Sequence, residues 1–229
     1  MELTQRGAAP HSAPVFPLKN DVPLRAFPSM TLALIATNVF VFVWQLWIGG
    51  ADSVEVFGAV PRNIVSGLSH DGVPAPLTLL TAMFLHGSWL HLGGNMLFLW
   101  IFGGTIEDRV GRLGYLLFYL LCGVLAGLAQ VLAAPTSPTP MLGASGAIAG
   151  VLGAYFLLFP RSRVLTVMLF AVVHVPAVLF LGLWFLLQLF SLPQGAARGV
   201  AIAAHVGGFL SGLVLVRLFD TVRGPHRAT

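Results

Sequence analysis

The sequence predicts an all-α integral membrane protein, a bundle of six transmembrane helices with both termini in the cytoplasm. Its 229 residues are 57% hydrophobic and only 9% charged, far from the composition of a soluble globular domain. The apolar residues also gather into six stretches, each near the roughly 20 residues that a spanning helix needs. We therefore expect a membrane domain over 29–220, between cytoplasmic tails at 1–28 and 221–229.

The six predicted spans are Met30–Gly49, Trp89–Gly104, Leu113–Ala134, Leu142–Phe159, Val164–Phe190 and Val200–Phe219. Three prolines between residues 135 and 140 end the third span and delay the fourth. The fifth span is the longest, and Pro176 is expected to bend it. The apolar run Pro76–Leu85 is too short to span, so it is expected to be interfacial or re-entrant.

The basic residues predict the orientation. If the amino terminus is cytoplasmic, only Arg62 and Arg198 of the twelve Lys and Arg lie on the outer side. Such an excess of basic residues is typical of cytoplasmic loops, and it requires an even number of spans. Because these residues are scattered singly, we expect the lipid bilayer as a partner and no nucleic acid.

Polar side chains inside the spans are costly and therefore informative. The ones to explain are Asn95, Gln130, Ser145, Gln188, His91, His174 and His205. All eight acidic residues and the single lysine lie in tails, in loops or at span ends. The spans therefore lack the carboxylate pair of an aspartyl protease, the lysine of a Ser/Lys dyad and the HExxH motif of a zinc protease. No metal or cofactor is expected.

A serine at the start of the fourth span is the strongest local signal. Ser145 lies within Gly143-Ala144-Ser145-Gly146, where the unpaired N–H groups and the dipole of a helix amino terminus favour a developing oxyanion. The tetrapeptide alone also fits simple helix packing, since Gly146 and Gly150 begin a stripe of small residues.

A histidine in the sixth span has the matching properties of a general base. Gly208 and Gly212 follow His205 on the same side of the helix, so this helix can pack closely against the small residues of the fourth. Such packing would bring His205 next to Ser145, whose proton it could accept. Taken alone, His205 is equally compatible with a buried histidine bonded to a carbonyl group.

The second span offers hydrogen-bond donors. His91 and Asn95 are four residues apart and share a helix face, and both carry groups that can complete an oxyanion hole with the backbone of Ser145. His86 precedes the span and is expected to anchor the loop. As a metal site the run is poor, because His86 and His91 do not share a helix face and no carboxylate joins them.

The depths of the three residues agree. The second, fourth and sixth spans all begin on the predicted outer side, and at 1.5 Å per residue Ser145, His205 and Asn95 lie roughly 5, 8 and 9 Å below the helix starts. The three side chains can therefore occupy one layer.

Together these residues resemble the rhomboid family of intramembrane serine proteases. The resemblance extends from about Phe16 to Phe219 and rests on four motifs: His86/His91/Asn95, Glu107-Asp108-Arg109-Val110-Gly111, Gly143-Ala144-Ser145-Gly146, and Ala204-His205-Val206-Gly207-Gly208 with Gly212. It implies a six-helix bundle in which Ser145 is the nucleophile, His205 the general base, and Asn95 with His91 the oxyanion donors. It also implies single-pass membrane proteins as substrates, cut without metal or nucleotide. We expect a multi-pass protein of the bacterial inner membrane.

Two positions depart from the family pattern. The first loop has Leu77-Thr78 where many members carry a Trp-Arg pair. Four residues after the serine, the chain has Ala149 where many members carry an aromatic residue that stacks on the histidine.

The fifth span suggests a route for the substrate. Phe180, Trp184 and Phe185 lie in its outer half and could lean on the second span, so Phe180 and Trp184 are candidates for a lateral gate between these two spans. The resemblance implies the same. The alternative is that these aromatic side chains face lipid.

Two other functions remain open on the sequence. A non-enzymatic rhomboid-like protein would bind transmembrane helices, but inactive relatives usually lose the serine or the histidine, and both are present. A small transporter could use His91, His174 and His205 as a proton relay, although no membrane carboxylate or inverted repeat accompanies them. A serine-directed probe would discriminate among the three, because only an activated serine reacts with it.

Overall fold

The computed structural model describes residues 16–69, 71–168, 171–192 and 201–220. The predicted tail segments 1–15 and 221–229, and the predicted start of the sixth span at Val200, lie outside these residues. The described chain is mostly helical, with a small sheet at one end of the helices.

Three helices of the described residues are long and apolar enough to cross a membrane: α1 (Ser29–Ile48), α7 (Arg112–Ala133) and α10 (Ile202–Phe219). They correspond to the first, third and sixth predicted spans. The fourth and fifth correspond to two shorter apolar helices, α8 (Ser145–Leu158) and α9 (Ala177–Ser191). The membrane character of the chain is thus supported, while the number of six spans stays a prediction.

The second predicted span is longer than expected. Helix α5 (Trp89–Phe98) continues through a π turn, Leu99–Gly103, into α6 (Gly104–Val110). A π turn shifts the helical pairing, and here the side-chain amide of Asn20 donates hydrogen bonds to the carbonyl of Ile101 and to the hydroxyl of Thr105. The helical run therefore ends at Val110, not at Gly104.

Three consecutive charged residues at the end of this run bind other segments of the chain through hydrogen bonds or an ion pair. Glu107 is buried and accepts three hydrogen bonds of 2.7–2.9 Å from the first turn of α1, where a carboxylate is favoured by the helix dipole. Asp108 accepts two backbone hydrogen bonds from the loop before α1. Arg109 forms a bidentate ion pair with Asp220 after α10, at 2.7 and 2.8 Å. Gly111 turns the chain into α7 with a φ of +79°, which favours glycine.

The all-α prediction is confirmed only in part, because the mostly helical chain also contains three strands, which form an antiparallel sheet in the order β1-β2-β3. They are β1 (Phe16–Asn20), β2 (Arg163–Met168) and β3 (Ala171–Pro176). Strand β1 belongs to the predicted amino-terminal tail, so this part of the tail is an ordered edge strand paired with β2.

The prediction of one long fifth helix, Val164–Phe190, is also wrong, because the first part of this segment is extended. Its first part forms the β2–β3 hairpin, in which Val164 pairs with Val175 and Val167 with Val172; residues 169 and 170 lie outside the described part. These strands are rich in β-branched residues, which favour extended backbone, and hydropathy alone does not distinguish such runs from helices. Pro176 is consequently the junction between β3 and α9, not a kink within a helix.

Helix α8 lies at the centre of the bundle, with residues 146–155 all buried. On one side a Cβ atom added at Gly208 or Gly212 of α10 would overlap the carbonyl group of Gly146 or Gly150, respectively. On the other side, a Cβ at Gly146 would lie 2.7 Å from the Cβ of Ala126 in α7. Small residues therefore let α8 pack against both neighbours at backbone distance.

The long first loop contains α2 (Gly50–Phe57), α3 (Pro61–Ser66) and a helical segment built from a 3₁₀ turn at Ala75–Leu77, α4 (Thr78–Thr81) and a second 3₁₀ turn at Ala82–Phe84. This last segment is the apolar run that was expected not to span. It is held against α7, where Leu79 and Met83 occupy the space left by Gly127 and Gly123.

Candidate active site

Ser145 is the first residue of α8. The preceding turn is fixed by Gly143, whose φ of +117° is disfavoured for other residues and whose N–H donates to the carbonyl of Ala82 at 2.8 Å. The first N–H groups of a helix have no acceptor within the helix. An N–H group at this terminus can therefore donate a hydrogen bond to a group outside α8.

The structure brings His205 to Ser145. The Nε2 atom of His205 lies 2.8 Å from the Oγ atom of Ser145, a hydrogen-bond distance. The close glycine contacts between α8 and α10 produce this approach, since Gly208 and Gly212 continue the face of α10 that carries His205.

The other ring nitrogen of His205 also has a partner. Its Nδ1 atom lies 2.9 Å from Oε1 of Gln188 in α9, and the Trp184 ring lies beside the imidazole at a centroid separation of 6.1 Å. The sequence identified Gln188 as a costly polar residue in a span without giving it a role. Because Gln188 lies 17 residues before His205 and on a different helix, no local sequence pattern predicts this contact.

Asn95 is buried on α5, and its amide is held by His86. The Nδ2 atom of Asn95 lies 3.0 Å from Nε2 of His86, while Nδ1 of His86 lies 3.3 Å from the carbonyl of Phe84. His86 therefore carries its proton on Nδ1 and accepts from Asn95 at Nε2. A side-chain amide has two N–H groups, so the second N–H of Asn95 takes no part in the hydrogen bond to His86.

His86 does more than the loop anchoring that the sequence predicted. Its backbone N–H donates to Oε1 of Gln45 in α1 at 2.9 Å, which ties the loop to the first helix. Burial, followed by the neighbouring His91, lowers the pKa of His86 to about 4. The ring is therefore neutral at physiological pH and stays an acceptor for Asn95.

His91 faces the turn before the serine. A Cβ atom added at Gly143 would lie 2.7 Å from Cε1 and 2.8 Å from Nε2 of His91, and 3.6 Å from Nδ2 of Asn95. Glycine at position 143 thus lets the chain before Ser145 approach both side chains. The site residues predicted on α5, α8 and α10 accordingly converge on one location.

These residues line a cleft of about 590 Å³ between α5, α8, α9 and α10. Apolar side chains form much of its wall, and the polar groups are few. The lining residues are Gly87, Leu90, His91, Gly94, Asn95, Phe98, Pro140, Met141, Leu142, Ser145, Ile148, Leu152, Trp184, Gln188, Ala201 and His205. Such a concave, mainly apolar site with a few convergent polar groups is typical of binding and catalytic sites.

The three aromatic residues of α9 are divided between two neighbours. Phe180 stacks on Phe102, in the π turn of the second span, at a centroid separation of 6.4 Å. Phe185 instead stacks on Phe209 of α10 at 4.4 Å, and Trp184 lies beside the same ring at 6.1 Å. Phe180 thus contacts the second span, whereas the ring contacts of Trp184 and Phe185 are with α10. Trp184 also lines the cleft together with Leu90 and Phe98 of α5, so its role in a gate stays a prediction.

The remaining sequence candidates lie elsewhere. His174 is exposed on β3 opposite Leu165, beyond the end of α8 that is remote from Ser145, so it does not join His91 and His205 in a relay. Ala149 is fully buried and lies against Gly208, where a Cβ would be 3.2 Å from its own. An aromatic ring contacts His205 from α9 instead.

Comparison with known proteins identifies relatives that are named rhomboid proteins. Residues 75–220 match the sequence profile of the Rhomboid domain. The chain is 32% identical over 198 residues to Rhomboid protein 1, mitochondrial, of Saccharomyces cerevisiae, covering 81% of this chain and 52% of that protein. It is 34% identical over 171 residues to Rhomboid-like protein 11, chloroplastic, of Arabidopsis thaliana, covering 69% and 58%. With Rhomboid protease GluP of Bacillus subtilis it shares 30% identity over 190 residues, covering 81% and 34%. The chain thus spans about a third to somewhat over half of these relatives.

Proposed function

The chain belongs to the rhomboid family, and from this premise we propose that it is a serine endopeptidase that cleaves transmembrane segments of single-pass membrane proteins. The observation that carries the proposal is the 2.8 Å contact between Nε2 of His205 and Oγ of Ser145 at the start of α8. A relative of 30% identity is named a rhomboid protease. Location in the bacterial inner membrane stays a prediction, because other relatives are named mitochondrial and chloroplastic.

In the proposed reaction, Nε2 of His205 accepts the proton of Ser145 as Oγ attacks the scissile carbonyl carbon. The C–N bond of the resulting tetrahedral intermediate then breaks, and His205 returns the proton to the leaving amine. Water releases the acyl group from Ser145 by the same two proton transfers in the second half.

The developing oxyanion would be stabilised by donors on two helices. The backbone N–H of Ser145 at the α8 terminus and the second N–H of Asn95 are the main ones, and His91 faces the same turn. Donors fixed in place before the reaction are the most effective, because they need no reorganisation. The contacts from His86 to Asn95 and from Gln45 to His86 supply that fixation.

The length of α8 supports a site below the membrane surface. Its 14 residues extend over about 21 Å, whereas the hydrocarbon core is roughly 30 Å thick. If Leu158 lies near the inner boundary, Ser145 lies about 9 Å below the outer one. We propose both termini in the cytoplasm, an orientation that reporter fusions at the two ends would test.

Asn95→Ala is expected to lower kcat by about 10²-fold, the usual cost of one oxyanion donor. Folding should be little affected, since His86 keeps its bonds to Phe84 and Gln45. The measurement is cleavage of a single-span substrate in liposomes, with Asn63→Ala in α3, outside the cleft, as the matched control. An unchanged rate in Asn95→Ala would assign this residue to packing alone.

Phe180 and Trp184 are the candidate gate residues, because Phe180 stacks on Phe102 in the π turn that follows α5 and Trp184 lines the same cleft as Phe98 of α5. Phe180→Ala removes a ring pair worth about 0.5–1.5 kcal/mol, so cleavage of membrane-embedded substrates is expected to rise about 2- to 10-fold. Phe190→Ala is the control, because this ring lies on the same helix and is largely exposed. A tether between cysteines in the outer turns of α5 and α9 should suppress cleavage until it is reduced; full activity of the tethered protein would exclude entry through this gap.

Purified protein in liposomes, incubated with a panel of single-span substrates, tests the proposed activity. Cleavage within or beside a transmembrane segment that chelators leave unchanged is the expected result. If no member of the panel is cut and no serine reacts with a fluorophosphonate, the chain is instead a non-enzymatic binder of transmembrane helices.

A further inference from the structure

We propose that Gln188 is a positioning residue for the general base, so that the dyad of the proposed function acts as a Ser145–His205–Gln188 triad. The inference rests on that function and on one juxtaposition: the two ring nitrogens of His205 contact Oγ of Ser145 at 2.8 Å and Oε1 of Gln188 at 2.9 Å.

The chemistry of the two contacts fixes the tautomer. Nε2 can accept the proton of Ser145 only if the ring proton is on Nδ1. An amide oxygen can only accept a hydrogen bond, so Oε1 of Gln188 holds the proton on Nδ1. The alternative tautomer would place a bare Nδ1 lone pair against this oxygen and a proton toward the serine, which abolishes the base.

The same contacts fix the orientation of the ring. A flip of the imidazole would break both hydrogen bonds at once, and both lie in a largely apolar cleft where unpaired polar groups are costly. Trp184, one turn before Gln188, covers the ring from the side of α9. His205 is thus held from α9 as well as by its own helix.

The position of Gln188 links the base to the proposed substrate route. The buried residues of α9, Ala177 and Leu181, both lie in its first two turns. Its outer half is held through Trp184, Phe185 and Gln188, which contact α10. An outward displacement of this half would remove the acceptor from Nδ1, so α9 must return to α10 before the chemical step.

Three variants in the full chain test the proposal. Gln188→Met keeps the length of the side chain and removes the acceptor, Gln188→Glu keeps an acceptor oxygen, and Leu187→Met changes an exposed neighbour on α9. Gln188→Met is expected to lower kcat about 10- to 100-fold, the effect of leaving a buried donor unpaired, with KM within about twofold. Gln188→Glu should recover most of the rate, and Leu187→Met should match the wild type.

A small fluorophosphonate separates positioning from gating, because it reaches the serine without a transmembrane segment entering the gap. The rate of Ser145 labelling should fall in Gln188→Met in parallel with kcat. Unchanged labelling, or a Gln188→Glu variant no better than Gln188→Met, would overturn the proposal. If Gln188→Met cannot be purified folded, Gln188→Ala is measured against the same two outcomes. Failure of the proposed function itself is distinguishable, since the wild-type protein would then neither cut a substrate nor react with the fluorophosphonate.

Discussion

Replacement of Ser145 or His205 by alanine is expected to abolish cleavage while leaving the fold intact. Each variant removes one side of the 2.8 Å contact between Oγ and Nε2, and residues that act as one unit lose about 10⁴-fold or more in kcat when either is removed. The double variant should cost little more than either single one. The measurement is cleavage of a single-span substrate in liposomes, with thermal unfolding recorded for each variant.

Matched controls exist for both residue types. Ser211 lies on α10 and donates to the backbone of Gly207, and His174 is exposed on the sheet. Ser211→Ala and His174→Ala should cleave at the wild-type rate. Robust activity in Ser145→Ala, or additive losses in the double variant, would end the assignment of the dyad.

Gly212→Ala is expected to destabilise the protein and to reduce activity together. The new Cβ would overlap the carbonyl group of Gly150 and approach its Cα at 2.8 Å, and backbone atoms cannot move aside as a flexible side chain can. Overpacking of this kind costs about 1–3 kcal/mol or more, which lowers the Tm by roughly 2–12 °C for a chain of this size. Because α8 and α10 must separate, His205 also moves away from Ser145.

Gly93→Ala on α5 is the matched control, because nothing lies within 4 Å of the added Cβ. Replacement of an exposed helical glycine by alanine usually stabilises a helix slightly. Equal Tm and activity in the two alanine variants would contradict the backbone-distance packing of α8 on α10.

The sequence predicted those residues of the site whose placement inside a membrane is energetically costly. Ser145, His205 and Asn95 are polar groups in segments that were predicted to span the membrane, and helix geometry alone predicted similar depths for them. The glycines of α10 predicted which helix faces α8, since only small residues permit such an approach. Composition and residue spacing therefore predicted the contact between Ser145 and His205.

The parts that the sequence did not predict depend on contacts between distant segments. The apolar residues of β2 and β3 satisfy a hydropathy test for a spanning helix, and only their β-branched content indicates strands. The strand at Phe16–Asn20 has no partner in its own neighbourhood, so its pairing with β2 is not visible in a local pattern. Similarly, His86 and Gln188 acquire their partners, Asn95 and His205, only through the packing of separate helices.

The most direct test of the account is the reaction of the purified protein with a fluorophosphonate, followed by mass spectrometry of the labelled peptide. Only a serine whose proton is removed by a neighbouring base reacts rapidly with such a probe. We expect a covalent adduct on Ser145 in the wild type and its loss in His205→Ala. An adduct formed at the same rate in His205→Ala, or no adduct in a preparation that cleaves substrate, would contradict it.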